Sequence, residues 1–208
     1  MNKFIRNSIN RLPLALIYLR LLIGFLLLFL SYCEVDNYRI IATVLFSVGL
    51  LSDVFDGIIA RQLNVSTPKL RRLDSTVDQV FFIAFAIATF IQCPAFFENN
   101  RLQLSILFGF EVMAYLLCFL KFRKEIATHS IGAKIWTLFL FATLLEIIWQ
   151  CQSDVLFAFC FWIGLATRLE IMVIILMIKN WTNDVPSAYH AWQLRQGRAI
   201  RRNKIFNG

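Results

Sequence analysis

Charged residues are scarce in this sequence. Only 16% of its 208 residues are charged and 59% are hydrophobic, whereas a soluble domain is about a quarter charged and about half apolar. The chain also lacks low-complexity tracts, clear repeats and any long polar linker. This composition excludes an ordinary soluble domain, and the absence of a linker favours a single domain over residues 1–208.

Long apolar runs are what the sequence has in abundance. Several approach or exceed the roughly 20 residues that cross a hydrocarbon core of about 30 Å. A spanning segment must satisfy its backbone hydrogen bonds internally, which favours helices, and the polar positions lack the strict alternation of a barrel strand. We predict an all-α membrane protein with six spanning helices, at roughly Leu12–Tyr32, Tyr38–Ala60, Asp74–Gln92, Leu102–Leu120, Ile131–Gln150 and Asp154–Lys179.

The basic residues indicate how these spans are oriented. With the N-terminus in the cytoplasm, 17 of the 21 lysines and arginines fall on the cytoplasmic side, and only Arg39 and Arg101 fall on the other. Such asymmetry is typical of loops that stay in the cytoplasm. We predict a multi-pass protein of a bacterial inner membrane with both termini cytoplasmic. The net charge of +8 then indicates topology and suits anionic lipids, rather than nucleic acid.

Both ends of the chain are basic. Residues 1–11 are predicted to form a short interfacial helix. A cleaved signal peptide is the competing interpretation, but the following apolar run is longer than a typical signal core and no small-x-small site follows it. Residues 184–208 are predicted to form a cytoplasmic basic tail that starts with a short surface helix, capped by Asp184 or Ser187.

The five cysteines do not form the closely spaced pairs of a metal site. Cys33, Cys93 and Cys151 fall at predicted outer ends of spans, where one disulfide could form. The favoured interpretation is that the cysteines are unpaired and fill space in apolar helices.

Five charged residues fall inside the predicted spans: Arg20, Glu111, Glu146, Arg168 and Glu170. An ionised side chain is costly there unless it is paired, so structural pairing is the favoured interpretation for each. Glu111 and Arg168 both lie near the middle of the membrane, and we predict that they pair. Arg20 lies in the cytoplasmic half of its span, from which it could reach a site at the membrane edge. Glu146 is predicted to extend towards the outer surface.

Four aspartates interrupt the apolar pattern between the second and third spans, in the segment DVFDGIIARQLNVSTPKLRRLDSTVD. Asp53 and Asp56 share one helical face, and Asp74 and Asp78 share another. A 13-residue connection between antiparallel neighbours can bring the two faces together. We therefore expect four carboxylates to converge at the cytoplasmic edge of the membrane.

Such a cluster needs a compensating cation, because four carboxylates repel one another in a partly desolvated site. All the ligand atoms are oxygens and no histidine or cysteine lies nearby, which favours a hard divalent cation such as Mg²⁺ or Mn²⁺. Gly57 and Ala60 lie on the same face as Asp53 and Asp56 and leave room for a bulky ligand. The pattern indicates a metal-assisted site for a phosphate ester.

The same segment resembles the signature of the CDP-alcohol phosphatidyltransferase family, D-x-x-D-G-x-x-A-R, eight residues, G, three residues, D, three residues, D. The matching residues are Asp53, Asp56, Gly57, Ala60, Arg61, Asp74 and Asp78. Leu70 stands where the family has its second glycine, close to the nucleotide, so it could reshape the pocket. Weaker similarity extends to RLPLALIYLR and to SIGAKIWT, where Lys134 and Thr137 resemble a glycine-lysine-x-x-threonine segment.

The resemblance implies an enzyme of phospholipid synthesis, a CDP-alcohol phosphatidyltransferase. It would transfer a phosphatidyl group from a CDP-linked lipid, usually CDP-diacylglycerol, to a small alcohol or alcohol phosphate and release CMP. Asp53, Asp56 and Asp74 would hold the metal, and Asp78 would complete a second metal site or act as the general base. Dimers are common in the family, so a homodimer is an open expectation.

The resemblance and the local charge also suggest binding residues. Gly57, Ala60 and Arg61 would contact the CDP-lipid. The cations available for the phosphate of an acceptor are Arg71, Arg72 and Lys134. Cytoplasmic topology alone would also explain these three cations. Glycerol 3-phosphate is the favoured acceptor because of them, with inositol phosphate and serine left open.

Three alternatives have different functions. A catalytically impaired relative would bind metal and CDP-lipid, with Leu70 preventing turnover. A small membrane transporter would use the carboxylates as an ion site, although such sites often lie nearer the midplane. A metal-dependent lipid hydrolase would need no acceptor alcohol.

Overall fold

The computed structural model is built from helices. It describes residues 12–33, 35–63, 65, 67–124, 126, 130–182 and 185–198. The helices in these ranges are α1 (Leu12–Tyr32), α2 (Tyr38–Gln62), α3 (Pro68–Gln92), α4 (Pro94–Asn99), α5 (Arg101–Phe122), α6 (Ile131–Gln150), α7 (Val155–Met177) and α8 (Ala188–Arg195). Six of them are long and apolar enough to cross a membrane, which confirms the predicted all-α membrane fold. The predicted interfacial helix over 1–11 lies outside the described residues.

The largest departure from the predicted boundaries is the start of α3. This helix begins at Pro68 and not at Asp74, because Thr67 caps it and Pro68 occupies its first turn. The hydroxyl of Thr67 accepts a hydrogen bond of 3.2 Å from the backbone N–H of Leu70. The prediction of a 13-residue connection is therefore wrong. The turn between α2 and α3 is short, and Arg71 and Arg72 lie on a helix.

One compact unit contains α1, α2, α3 and residues Ile147–Cys151. In this unit α1 packs along both α2 and α3, whereas α2 and α3 approach each other at few positions. Aromatic rings fill the core of the unit: Phe46 stacks on Phe85 with ring centroids 3.7 Å apart, and Phe81 lies 5.4 Å from Phe46. All three rings are buried. They fix the positions along α2 and α3 that face each other.

A disulfide joins Cys93, just after α3, to Cys151, just after α6, with the Cα atoms 5.1 Å apart. The interpretation of these two residues as unpaired is therefore wrong, because tertiary packing brings two helix ends together that are distant in sequence. Cys33, Cys118 and Cys160 are free, and the last two are buried, in line with the predicted space-filling role.

Reduction of this disulfide is expected to lower the free energy of unfolding by about 2–4 kcal/mol, because the bond closes a long loop between residues 58 apart. Thermal unfolding of the purified protein, with and without reductant, measures the change. The Cys93→Ser/Cys151→Ser variant should unfold at the reduced midpoint in both conditions, whereas Cys33→Ser, at an exposed free thiol, should behave like wild type. Unfolding that is insensitive to reductant in the wild type would contradict the assignment.

The second compact unit contains α4, α5, α7, α8 and most of α6. It confirms the predicted ion pair, since the guanidinium of Arg168 donates to the carboxylate of Glu111. The same guanidinium lies over the Trp136 ring, 4.1 Å from its centroid. The Trp136 indole N–H donates to the carbonyl of Cys160 at 3.0 Å. The charge of Arg168 is thus compensated inside an apolar segment.

The other two intramembrane carboxylates in this unit also have partners. Glu146 accepts a hydrogen bond of 2.5 Å from the Ser153 hydroxyl, and Glu170 accepts one of 3.4 Å from the backbone N–H of Ala188. Each carboxylate therefore has a hydrogen-bond donor, although neither donor is charged.

The predicted C-terminal helix is present as α8, with Ser187 at its N-cap position. Asp184, the other predicted cap, lies outside the described residues. Tyr189 and Trp192 of α8 are exposed. The buried residues that join α8 to the end of α7 are Ile174, Ile178, Val185 and Ala191.

Candidate active site

The four predicted aspartates converge in the first unit, where the end of α2 and the start of α3 meet. Asp53 and Asp56 lie in the last turns of α2, and Asp74 and Asp78 lie in the first turns of α3. Asp53, Asp56 and Asp74 each offer one carboxylate oxygen, and these three oxygens lie within 4.8 Å of one another. The helical spacing therefore predicts the convergence correctly.

The site is closed on one side and open on the other. Asp56 is only 2% exposed, because it lies deepest in the packing of α1 against α2. The side chains of Asp53, Asp74 and Asp78 are 36%, 28% and 31% exposed. A ligand can therefore approach the three open carboxylates, while Asp56 forms the floor of the site.

Arg20 of α1 lies at the centre of the four carboxylates and is 1% exposed. Its Nη1 is 3.2 Å from Asp53 Oδ1 and 3.1 Å from Asp74 Oδ1. The same nitrogen pairs with Asp78, and Nη2 pairs with Asp56. The sequence places Arg20 within reach of the site, but it gives no indication that one guanidinium contacts all four aspartates.

The four carboxylates carry more negative charge than Arg20 alone can offset. If all four were ionised, their charge would exceed that of the one guanidinium in a partly desolvated place, which favours the binding of a further cation. The available donor atoms are all carboxylate oxygens, and three of them are close enough to share one ion. This donor set fits a hard divalent cation such as Mg²⁺ or Mn²⁺.

The predicted CDP-lipid residues follow the aspartates along α2. Ala60 is buried and Gly57 is partly buried, so this face of α2 carries only small side chains beside Asp53 and Asp56. Arg61 belongs to α2, but its side chain lies outside what the structure describes. Leu70, at the position of the second signature glycine, is partly buried in the first turn of α3.

The predicted phosphate-binding cations fall in different units. Arg71 and Arg72 lie on the first turns of α3, in the same unit as the aspartates, and Arg71 is partly buried. Lys134 is an exposed residue in the first turn of α6, in the second unit.

Gly49 of α2 and Phe81 of α3 are in close contact about one turn away from the carboxylates. A Cβ atom on Gly49 would lie 2.2 Å from Cζ of Phe81, so the buried Phe81 ring occupies the space over the glycine. Gly49 precedes Asp53 by one turn, and Phe81 follows Asp78 by three residues. We therefore expect this contact to set the separation between the two pairs of carboxylates, and no motif in the sequence marks it.

The helices and the acid cluster define a class of protein: a multi-pass membrane protein with a candidate cation site at the ends of two spans. A comparison with family models is more specific, because residues 10–187 match the one described as CDP-alcohol phosphatidyltransferase. The chain belongs to the CDP-alcohol phosphatidyltransferase family, so it is a transferase of substituted phosphate groups. No curated protein and no solved structure matches the chain significantly.

The family assignment also bears on the other hypotheses. The family transfers a phosphatidyl group from a CDP-alcohol to an acceptor alcohol and is generally dependent on divalent metals. These properties favour the transferase over the transporter and the hydrolase, and the cluster of Asp53, Asp56 and Asp74 could bind such a metal.

Proposed function

We propose that this protein transfers the phosphatidyl group of CDP-diacylglycerol to a small alcohol or alcohol phosphate and releases CMP, as a step of phospholipid synthesis. The reaction would use one domain over residues 1–208. The observation that carries the proposal is the convergence of Asp53, Asp56 and Asp74 at the family's signature spacing.

Asp53, Asp56 and Asp74 would hold Mg²⁺ or Mn²⁺, and Asp78 would complete a second metal site or act as the general base. When bound, the metal offsets the negative charge of the pyrophosphate and of the departing CMP. The protein itself supplies a fixed floor at Asp56 and open carboxylates above it, so the substrate's phosphates can approach from the exposed side.

Asp78 is our candidate for the general base. The acceptor's hydroxyl oxygen forms a bond to the phosphorus that carries the lipid, and the bond from that phosphorus to the oxygen bridging to CMP breaks. The hydroxyl proton passes to Asp78, directly or through one water. The side chain of Asp78 is 31% exposed and one of its oxygens pairs with Arg20, which leaves the other oxygen to accept the proton.

The remaining predicted residues would bind substrate. Gly57 and Ala60 leave a shallow face for the CDP-lipid, and Arg61 would contact its phosphates. Arg71 and Arg72, which lie in the same unit as the aspartates, would bind the acceptor phosphate, because arginine forms strong charge-assisted hydrogen bonds with phosphate oxygens. Glycerol 3-phosphate, which carries such a phosphate, is the favoured acceptor, with inositol phosphate and serine as alternatives.

The disulfide supports the proposed cytoplasmic location of the site. Cys93 follows Asp78 by fifteen residues along α3, which places the two about 22 Å apart along the helix axis. Disulfides persist in oxidising compartments such as the bacterial periplasm. If the Cys93 end of α3 faces outward, the aspartates face the cytoplasm, in agreement with the distribution of basic residues.

Purified protein in detergent, incubated with labelled CDP-diacylglycerol, Mg²⁺ or Mn²⁺ and a panel of alcohols, tests this function. We expect CMP and a lipid product in equal amounts, only with metal and only with an acceptor, most strongly with glycerol 3-phosphate. CMP release without any acceptor would instead support the hydrolase hypothesis.

Leu70 supports a second candidate function, a relative that binds metal and CDP-lipid without turnover. It adds a branched side chain to the first turn of α3, on the helix that also carries Asp74 and Asp78. Under this alternative the wild type binds CDP-lipid but forms no product, and Leu70→Gly gains activity. If the wild type is active, this alternative is rejected. Leu70→Gly should then change KM for the CDP-lipid.

A further inference from the structure

Arg20 links two helices that otherwise have little contact. Its Nη2 pairs with Asp56 on α2, while its Nη1 hydrogen-bonds to Asp74 and Asp78 on α3. The guanidinium is also held by Ser52 of α2, because its Nε donates to the Ser52 hydroxyl at 3.5 Å. Because α1 packs along both α2 and α3, this one side chain holds the two pairs of carboxylates at a common centre.

The same guanidinium contacts oxygens that a divalent cation would need. Nη1 lies 3.2 Å from Asp53 and 3.1 Å from Asp74, and both residues belong to the group of three that could share an ion. The two hydrogens of Nη1 point towards carboxylate oxygens, and Mg²⁺ would be coordinated by oxygens of the same carboxylates. The cation and Nη1 would therefore compete for the same lone pairs.

We propose that Arg20 is a positioning residue that acts as a built-in competitor of the catalytic cation. It keeps the α2 and α3 carboxylates together, and Nη1 would have to release their oxygens for these residues to hold a divalent ion. The Nη2 pair with buried Asp56 and the Ser52 contact retain the guanidinium at the floor of the site. Arg20 thus weakens metal binding while it preserves the arrangement of the ligands. This inference rests on the proposed function only in assigning the aspartates to metal.

Competition predicts the direction in which the affinity for metal changes when the guanidinium is removed. Two cations that share ligand oxygens repel each other, and burial strengthens this repulsion. Removal of the guanidinium should tighten metal binding, and the metal should then stabilise the variant more than it stabilises wild type. An arginine with a purely structural role would lower the unfolding midpoint by the same amount with and without metal.

The test is a titration of the full-length protein with Mn²⁺, in which electron paramagnetic resonance measures the free ion. Wild type, Arg20→Met and Asp53→Asn are compared, and the unfolding midpoint is measured with EDTA and with Mn²⁺. We expect Arg20→Met to bind Mn²⁺ at least tenfold more tightly than wild type and to gain more stability from it. Mn²⁺ binding that is unchanged or weaker in Arg20→Met overturns the proposal.

Two further comparisons keep the test decisive. Arg20→Lys retains the charge but cannot contact α2 and α3 through separate nitrogens, so Mn²⁺ binding a few-fold tighter than in wild type is expected. If Arg20→Met does not fold, unchanged or weaker binding in Arg20→Lys overturns the proposal. If wild-type protein shows no Mn²⁺ binding that is lost in Asp53→Asn, the metal site itself is rejected. Tighter binding in Arg20→Met with no product from wild type would reject only the proposed reaction.

Discussion

Asp78→Asn is expected to lower the rate of CMP release by roughly 10²–10⁴-fold, the usual contribution of a general base. An amide oxygen can still accept a hydrogen bond from Arg20, so the arrangement around the site should persist. The amide cannot take up the proton of the acceptor hydroxyl. Metal-dependent formation of CMP and lipid product, measured together in detergent, gives the size of the loss.

Asp154→Asn is the matched control for this substitution. Asp154 is exposed at the start of α7 and makes no side-chain hydrogen bond to the described first turn of that helix. The control should retain the wild-type rate, and both variants should unfold near the wild-type midpoint. A full rate in Asp78→Asn would remove this residue from the role of base, and an equal loss in both variants would indicate a general effect of charge.

Gly49→Ala is expected to destabilise the protein by about 1–3 kcal/mol, the usual cost of overpacking a core, and to reduce activity strongly. The added methyl group would overlap the Phe81 ring, since the nearest ring carbon would be 2.2 Å away. That ring is held by Phe46, so it cannot turn aside freely. Relief of the overlap would separate α2 from α3 and move Asp53 away from Asp78. Thermal unfolding and CMP release measure the two effects.

Gly109→Ala is the control, because a Cβ at Gly109 meets no described atom within 4 Å. Alanine favours a helix over glycine by about 1 kcal/mol, so this variant should be as stable as wild type or slightly more stable. If Gly49→Ala also unfolds at the wild-type midpoint with full activity, the Phe81 contact does not determine the separation of the carboxylates.

Sequence patterns predicted most of the fold because a membrane imposes a length requirement on each apolar segment. The bounds of α1 and α6 agree with the predicted spans, and the polar and basic start of α3 hid its true beginning. The pair Thr67–Pro68 is a recognisable helix start, but hydropathy does not detect it.

The candidate site was predictable for a similar local reason. Asp53 and Asp56 share a face of one helix and Asp74 and Asp78 share a face of the next, whatever else surrounds them. The family signature depends on the same local spacing. The pairing of Glu111 with Arg168 was also predictable, because a charge in an apolar segment needs a partner at its own depth.

The sequence by itself therefore determined the six spans, the family and the faces on which the carboxylates lie. Only the tertiary structure decided that Arg20 enters the site between α2 and α3, that Cys93 bonds to Cys151, and that Phe81 covers Gly49. Arg20 and Asp78 are 58 residues apart, as are the two cysteines. Which helices become neighbours depends on how they pack side by side. Neither local periodicity nor the depth of a charge, which was enough to pair Glu111 with Arg168, identifies the neighbours in these three contacts.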